Sequence, residues 1–411
     1  MTTTSSIRID LDALERNLEA VAKVAGGGVP DWNRVCAVVK SDAYGLGAPR
    51  IAGSMAEMGV RTFAAYNPEE AISVATAARG ADVLVLMPVH ELDRSGAAMH
   101  LLADEKLHFT AHSIDQVQDL EEEAARLGIV LPMHLELDTG MGRGGCEERD
   151  ALGILAHIGQ SPRMRVAGVM THLPDALDDA DSARDRGRRF RLFLEGAGDL
   201  VPAGALRHAA ATAALHDSSL RFDMVRVGLA WTGHFPRGAA ATQASIKLQP
   251  AISWWSRLIQ IRRLSAGRSI GYGCTTTIDR DTVAGLVPVG YADGLPSSRT
   301  GPHRLVVHGQ RGPVSVPVLG RMNMDQCVVD LTDVGPVDPN ADVEIISADV
   351  DSPVALPRVS ARSEVMPYEL LCGLSPRIPR VIVAGGVRAE SNPQPGVAVG
   401  SVESQNRIGF G

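Results

Sequence analysis

The chain has 411 residues, more than one hydrophobic core usually supports, so we expect two domains or one large barrel with an appendage. Its net charge of −8, from 40 Lys and Arg against 48 Asp and Glu, argues against nucleic-acid and anionic-membrane partners, because those surfaces attract a concentrated positive field. The five cysteines form no CxxC or CxxH pair and no segment is apolar for long enough to span a membrane, so we expect a cytoplasmic protein with neither a disulfide framework nor a metal site.

The first half of the chain alternates short apolar runs with helical patterns. Asp10 can cap a helix whose apolar residues recur from Leu11 to Val21, and glycines 26–28 end it. Eight candidate strands follow: VCAVVK (35–40), TFAAY (62–66), VLVLM (83–87), LHFTA (107–111), HLELD (134–138), VAGVMT (166–171), LRHAAA (206–211) and MVRVG (224–228). Strands buried on both faces and separated by helices predict a parallel sheet, and eight such units match a (β/α)8 barrel, although a doubly wound sheet gives the same alternation.

The residue pattern changes after residue 244, from alternating strands and helices to successive strands. Segments such as ISWWSRLIQIRRL, TVAGLVPVGY and VSVPVLG predict a mainly antiparallel β domain with glycine-containing turns. We therefore divide the chain into a barrel domain over 1–244 and a β domain over 245–387, with residues 1–10 as a candidate for pairing with the second domain. The polar, Pro- and Gly-rich residues 388–411 are expected to form a mobile tail.

Lys40 stands at the carboxyl end of the first predicted barrel strand and is followed by a glycine-containing loop. Active sites of such barrels lie at this end, and a desolvated lysine there can form a Schiff base with an aldehyde. A solvated lysine at the end of a strand is the simpler interpretation of this residue alone.

The segment VVKSDAYGLG (38–47) resembles the cofactor-lysine motif of alanine racemases, and further similar motifs follow in the same order. These are LELDTGMGRGG (135–145), MTHL (170–173), FDMVRVGLA (222–230), SIGYG (269–273), VPVGYADG (287–294), GRMNMDQ (320–326) and PYELLCGLSPRIPR (367–380). The resemblance extends from about residue 7 to about residue 385. It implies a pyridoxal-phosphate-binding barrel followed by a β domain, in agreement with the pattern.

By this resemblance, Lys40 holds the cofactor aldehyde and acts as the base on one face of the substrate Cα, while Tyr272 acts on the opposite face. Arg226 corresponds to an arginine that faces the ring nitrogen of the cofactor. Because arginine keeps its proton, it leaves that nitrogen unprotonated and weakens the electron sink. His208 is similar to a histidine that braces this arginine, and His172 to one near the cofactor ring.

The resemblance assigns the cofactor phosphate to hydroxyls and backbone N–H groups at strand-to-helix turns. The residues concerned are Tyr44, Thr212, Gly228, Leu229 and Tyr368. Thr212 stands where the family usually has serine, so the hydroxyl is retained.

The remaining implied residues concern the substrate. Arg143 helps to position the substrate carboxylate, and Glu136 stands where many relatives carry a carbamate-modified lysine that supplies a negative charge to that arginine. We interpret Glu136 as a permanent replacement for the modification. The others lie near the substrate carboxylate or the entrance: Tyr291, Asn323, Met324 and Asp325.

In this family the tyrosine reaches the cofactor of the other subunit, so the resemblance implies a homodimer with two composite sites. We expect a racemase of alanine. The alternatives are a racemase of serine or of a basic or non-protein amino acid, a diverged decarboxylase or aldolase on the same fold, and a non-catalytic pyridoxal-phosphate carrier. Arg226 and Tyr272 count against a decarboxylase, and the second domain counts against a carrier.

Overall fold

The protein combines a closed parallel barrel with a long, mainly antiparallel sheet, which confirms the predicted fold class. The structure is a computed structural model and describes residues 4–274, 276–384 and 387–388. The chain begins with β1 (Ser6–Asp10), which joins the second domain, and then builds the barrel. The barrel strands are β2 (Val35–Val38), β3 (Thr62–Ala65), β4 (Asp82–Val85), β5 (Leu107–Ala111), β6 (Leu131–Glu136), β7 (Met164–Met170), β8 (Leu206–Ala211) and β9 (Met224–Val227).

The barrel closes through parallel pairing of β2 with β9, where Val35 lies opposite Val225. All eight predicted strands fall on barrel strands, because their apolar residues are buried on both faces, as parallel strands require. The surrounding helices are α1 (Leu11–Ala25), α2 (Lys40–Gly45), α3 (Ala48–Met58), α4 (Pro68–Ala77), α5 (Gly96–Ala103), α6 (Ile114–Leu127), α7 (Glu148–Gln160), α8 (Ala180–Ala197), α9 (Ser218–Arg221) and α10 (Ala240–Ser245). The Asp10 carboxylate caps α1 by accepting from the Ala13 N–H at 3.0 Å, and α1 ends before Gly26.

The second domain is built on a ten-stranded sheet with the order β11-β14-β17-β16-β15-β18-β10-β1-β19-β20. Its elements are β10 (Ile252–Arg257), β11 (Gln260–Leu264), β12 (Ser269–Ile270), β13 (Thr276–Thr277), β14 (Thr282–Val287), β15 (Arg304–Gly309), β16 (Gly312–Leu319), β17 (Cys327–Asp330), β18 (Asp342–Ile346), α11 (Leu356–Ser363), α12 (Pro367–Cys372), β19 (Arg380–Ala384) and β20 (Val387–Arg388). The sheet is antiparallel except where β1 runs parallel to β19.

Strand β1 joins the N-terminal segment of the chain to the sheet of the second domain. It pairs with β10, with Ile7 opposite Trp254, and with β19, with Ile7 opposite Arg380. Asn17 strengthens the junction by donating to the Gln249 carbonyl at 2.8 Å and accepting from its N–H at 2.7 Å. This arrangement brings α12 of the second domain against α2, next to Lys40.

Among the described residues, no helix has the length and apolar character needed to cross a bilayer. The five cysteines are all free thiols. Apart from Arg388, which pairs with Val383, the predicted tail of 388–411 lies outside the described residues.

Candidate active site

A cavity of about 530 Å³ opens at the carboxyl end of the barrel. Its walls come from the carboxyl ends of β2 to β9 and from α12, so every barrel strand or the residues just after it contribute a side chain. The lining residues that bear polar or aromatic groups are Lys40, Ser41, Tyr44, Tyr66, His112, Glu136, Arg143, His172, Thr212, Arg226, Tyr368 and Cys372. Eight of the predicted site residues are in this set.

Lys40 enters the cavity directly after β2, at the first residue of α2. Burial lowers the pKa of its amine below the ordinary 10.5, and the Arg143 guanidinium lowers that pKa further. The effect favours the neutral amine, which is the nucleophilic form.

Within α2, the backbone after Lys40 turns in the left-handed sense. Ser41, Asp42, Ala43 and Tyr44 have φ angles of 54°, 54°, 52° and 60°. Each such residue costs about 1–2 kcal/mol, so the surroundings must hold the turn in place. The Asp42 carboxylate accepts from the Ala48 N–H at 2.7 Å, and the Arg380 guanidinium donates to the Gly45 carbonyl at 2.8 Å. The strain is concentrated between the lysine and Tyr44, as expected of a site that fixes two groups rigidly.

Arg226 lies on β9 and is buried beneath the cavity. Its Nη1 donates to Nδ1 of His208 at 2.8 Å and to the His208 carbonyl at 2.9 Å, and its Nη2 donates to the Thr171 carbonyl at 2.8 Å. The structure therefore brings His208 against Arg226 from below, while His208 itself does not line the cavity. Desolvation lowers the pKa of Arg226, yet the group remains a cation because a guanidinium keeps its proton in proteins.

Hydroxyl groups converge at one end of the cavity. The Tyr368 oxygen is hydrogen-bonded by the Leu229 backbone and the Thr212 side chain, which oppose the upward shift that burial gives its pKa. The Ala230 N–H donates to Thr212 Oγ1 at 3.3 Å. Gly228 leaves space for Tyr44, since a Cβ at residue 228 would lie 3.0 Å from Tyr44 Cζ and closer still to the hydroxyl.

His172 also lines the cavity, after β7. Burial lowers its pKa to about 3, and the nearby Arg226, Arg143 and Lys40 cations lower it as well. His172 is therefore a neutral ring in a site that is already positively charged.

Glu136 ends β6 inside the cavity, but among the described residues it forms no ion pair with Arg143. It lies instead beside the His112 ring, with 3.5 Å between Oε2 and Nδ1. His112 Nδ1 accepts from the Gly145 N–H at 2.9 Å, so it anchors the loop that carries Arg143. Direct contact between Glu136 and Arg143 is not present, and any effect of the carboxylate on Arg143 must act through space or through this loop.

Apart from Tyr368, the predicted residues of the second domain lie outside the cavity. Tyr272, Tyr291 and Met324 are 72%, 50% and 53% exposed, which is unusual for large apolar side chains. The Tyr291 N–H donates to the Asn323 carbonyl at 3.2 Å, and Asp325 forms a 2.8 Å ion pair with Arg377. These residues form an ordered exposed face.

Sequence reasoning missed the lining residues Ser41, Tyr66, His112 and Cys372, and it missed His134 and His108 below the cavity. His112 follows the predicted strand 107–111, and its position at a carboxyl end was the available signal. Cys372 lies beside Lys40, whose positive charge lowers the thiol pKa against the larger raising effect of burial. His134 lies on a predicted strand and hydrogen-bonds to His208, a contact that no sequence pattern specifies.

Fold and site together define a barrel enzyme whose cavity contains a desolvated lysine amine, with an arginine below it and a cluster of hydroxyls to one side. The family models described as alanine racemase N-terminal domain and alanine racemase C-terminal domain match residues 9–236 and 251–382. The chain belongs to the alanine racemase family and, with it, to the pyridoxal-phosphate-dependent isomerases.

Individual relatives agree with this assignment. The chain is 32% identical to an alanine racemase of Symbiobacterium thermophilum, over 90% of this chain and 95% of that one. It is 31% identical to an alanine racemase of Geobacillus stearothermophilus, over 91% and 92% of the two chains. A crystal structure of alanine racemase from D-cycloserine-producing Streptomyces lavendulae superimposes with a TM-score of 0.81 at 28% identity, covering 94% of this chain and 98% of that one.

Proposed function

We propose that the chain interconverts L- and D-alanine, with pyridoxal phosphate bound to Lys40. The observation that carries this proposal is the desolvated Lys40 amine, placed in one cavity with Arg226 and the hydroxyl cluster. When bound, the cofactor supplies a conjugated ring that accepts the charge left at Cα after proton removal.

The residues present fit this cofactor. Hydroxyls and N–H groups for the phosphate come from Tyr44, Thr212, Tyr368 and the backbone at Gly228 and Leu229. The missing side chain at residue 228 leaves the space that the Tyr44 hydroxyl needs. Arg226 would meet the ring nitrogen of the bound cofactor and leave it unprotonated, because a guanidinium donates and does not release its proton. His208 braces Arg226 from below, and the neutral His172 would contact the cofactor ring.

Inversion at Cα requires proton exchange on two opposite faces. Lys40 serves one face, and the Tyr272 hydroxyl serves the other. Tyr272 is 72% exposed and does not line the cavity of its own chain, so a second copy has to supply it. We therefore infer a homodimer with two composite sites, in which each exposed face of the second domain covers the cavity of the other copy.

The same docking brings the substrate-binding residues together. Arg143 and the Met324–Asp325 backbone bind the substrate carboxylate, while Tyr291 and Asn323 narrow the entrance. The Asn323 Oδ1 atom is buried and has no hydrogen-bond partner among the described residues, so it leaves an acceptor for the covering copy or the substrate. Glu136 supplies negative charge next to the Arg143 and Arg226 cations, in the place of a modified lysine.

Localisation and domain limits are part of the proposal. Five free thiols favour a reducing cytoplasm. We place the domain boundary at residue 244, with residues 1–10 contributing to the second domain, as the pairing of β1 with β10 and β19 supports.

The reaction is tested by incubating the cofactor-loaded protein with L-alanine in deuterated water. We expect D-alanine to appear with deuterium at Cα. Formation of ethylamine, or recovery of L-alanine without exchange, would contradict the proposal.

The composite site is tested by mixing two inactive variants, Lys40→Ala and Tyr272→Phe. In a mixed dimer, the Tyr272→Phe subunit keeps its lysine and receives an intact tyrosine from the other subunit. Random reassortment should restore about a quarter of wild-type activity, since half of the dimers are mixed and each has one intact site. Sites formed within one chain would regain none.

A further inference from the structure

Three histidines form a hydrogen-bonded row inside the barrel, below Arg226. His208 Nε2 is 2.9 Å from His134 Nδ1, and His134 Nε2 is 3.0 Å from His108 Nδ1. With the 2.8 Å contact from Arg226 Nη1 to His208 Nδ1, the row crosses from β9 through β8 and β6 to β5. We call His208, His134 and His108 the histidine row.

Arg226 dictates where each proton of the row must lie. A guanidinium can only donate, so His208 Nδ1 must accept, and the proton of a neutral His208 is on Nε2. That N–H donates to His134 Nδ1, which places the His134 proton on Nε2, and the same reasoning places the His108 proton on Nε2. All three rings share one tautomer, and every hydrogen bond points away from the cavity.

The residues around the histidine row keep the three rings neutral and fix their positions. Burial lowers the pKa of His134 and of His208 well below 6.5, and lowers that of His108 to about 4. Gly168 on β7 leaves room for the middle ring, since a Cβ there would lie 2.7 Å from His134 Cε1. The outer ring lies near two ion pairs at the amino end of the barrel, Lys106–Asp82 and Arg165–Glu105.

The reverse tautomer would be incompatible with the site. If His134 presented an N–H to His208, the His208 proton would move to Nδ1 and two donors would face each other at Arg226. The guanidinium would then shift, and with it the donor directed at the cavity. An apolar side chain at residue 134 would likewise leave the His208 Nε2–H buried without an acceptor.

We propose that His134 and His108 are positioning residues of the racemase site, which hold His208 in the tautomer that accepts from Arg226. This inference rests on the proposed function only in placing the cofactor ring nitrogen at Arg226. The row also helps to stabilise the buried Arg226 cation, because the neutral rings are polarised with their Nδ1 acceptors towards it.

The test compares His134→Leu with His134→Asn, two side chains of similar size. Asparagine offers an oxygen where Nδ1 lies and can accept from His208, whereas leucine cannot. We expect His134→Leu to lower kcat per cofactor-loaded site roughly 10-fold, on the order of one lost buried hydrogen bond, with less than about a twofold change in KM. The visible absorption band of the bound cofactor should shift, and His134→Asn should restore most of both.

A double-mutant cycle separates positioning from general stability. In a His208→Leu background, His134→Leu should lower kcat no further, because the row is already cut. His108→Leu and His108→Asn provide an independent version of the test, with a smaller expected loss of kcat. His303→Leu is the control for the loss of a buried histidine elsewhere. If His134→Leu lowers only the melting temperature, or if its effect on kcat adds fully to that of His208→Leu, the proposal is overturned.

Histidine tautomers in the cofactor-free protein provide a readout independent of activity. Solid-state ¹⁵N NMR of histidine-labelled protein should show three neutral Nε2–H rings assigned to the row by the Leu variants. A Nδ1–H ring at residue 208 or 134 would refute the row even if the enzyme racemises alanine. Failure to bind the cofactor would refute the proposed function and leave the tautomer result standing.

Discussion

Replacing Gly228 with alanine tests the phosphate end of the cavity directly. The new Cβ would lie 3.0 Å from Tyr44 Cζ and 3.5 Å from Cε2, with the hydroxyl oxygen closer than either. Tyr44 cannot turn aside freely, because its ring packs between Trp231 and Tyr368 with centroid separations of 5.7 and 5.4 Å. The hydroxyl must therefore move by on the order of 1 Å in a close-packed region.

Two costs follow from this displacement. Overpacking destabilises the fold by about 1–3 kcal/mol. Loss of a hydrogen bond from the Tyr44 hydroxyl to a charged phosphate adds about 1.5–3 kcal/mol to the free energy of cofactor binding, which is a weakening of roughly 10- to 150-fold.

The assay is a titration of cofactor-free protein with pyridoxal phosphate, followed by absorbance, together with a thermal melt. Gly153→Ala is the matched control, since a Cβ at that helical position meets no atom. Adding Tyr44→Phe to Gly228→Ala should recover part of the stability but no affinity, because it removes the closest overlap, with the hydroxyl, together with the hydrogen bond. Wild-type affinity and stability in Gly228→Ala would refute the placement of the phosphate.

Three further predictions concern the lysine, the tyrosine and the loop of the second domain. Tyr272→Phe should preserve folding and cofactor binding, since the side chain is 72% exposed, but it should lower kcat by about 10²- to 10⁴-fold. The rate is measured by chiral chromatography of alanine, and wild-type activity would contradict the role of Tyr272. In the cofactor-free protein, folding lowers the pKa of Lys40, so the folded state disfavours the protonated amine. The buried charge therefore destabilises the fold fully below the lowered pKa, and this destabilisation disappears as the pH rises to 10.5. Cofactor-free Lys40→Met should therefore unfold at higher urea than cofactor-free wild type at neutral pH, with a difference that shrinks towards pH 10.5; a pH-independent difference would show that desolvation is not the cause. Gly290→Ala should cost about 1–3 kcal/mol of stability in a thermal melt and raise KM, because its Cβ would overlap the carbonyls of Asn323 and Met324; unchanged values would mean that this loop adjusts freely.

The barrel could be predicted from sequence because its strands are short and mainly apolar, without the polar alternation of a half-exposed sheet. Runs such as those at 35–40 and 224–228 are typical of strands covered on both faces, and the structure buries them there. The helix after Asp10 could also be predicted, since its cap and its apolar period are local features.

Contacts between distant segments could not be read from any local pattern. The left-handed turn after Lys40 contains no glycine at its first four residues, so nothing in its sequence demands a positive φ. The histidine row joins residues on three strands, and its bonds depend on barrel register. The position of Glu136 beside His112 likewise joins two different strands and has no local signal in the sequence.

Reduction of the cofactor-loaded protein with borohydride, followed by peptide mass mapping, tests the central claim most directly. The account predicts a phosphopyridoxyl group on the peptide that contains Lys40, and its absence in Lys40→Ala. A modified lysine elsewhere in the wild-type protein, or none at all, would contradict it.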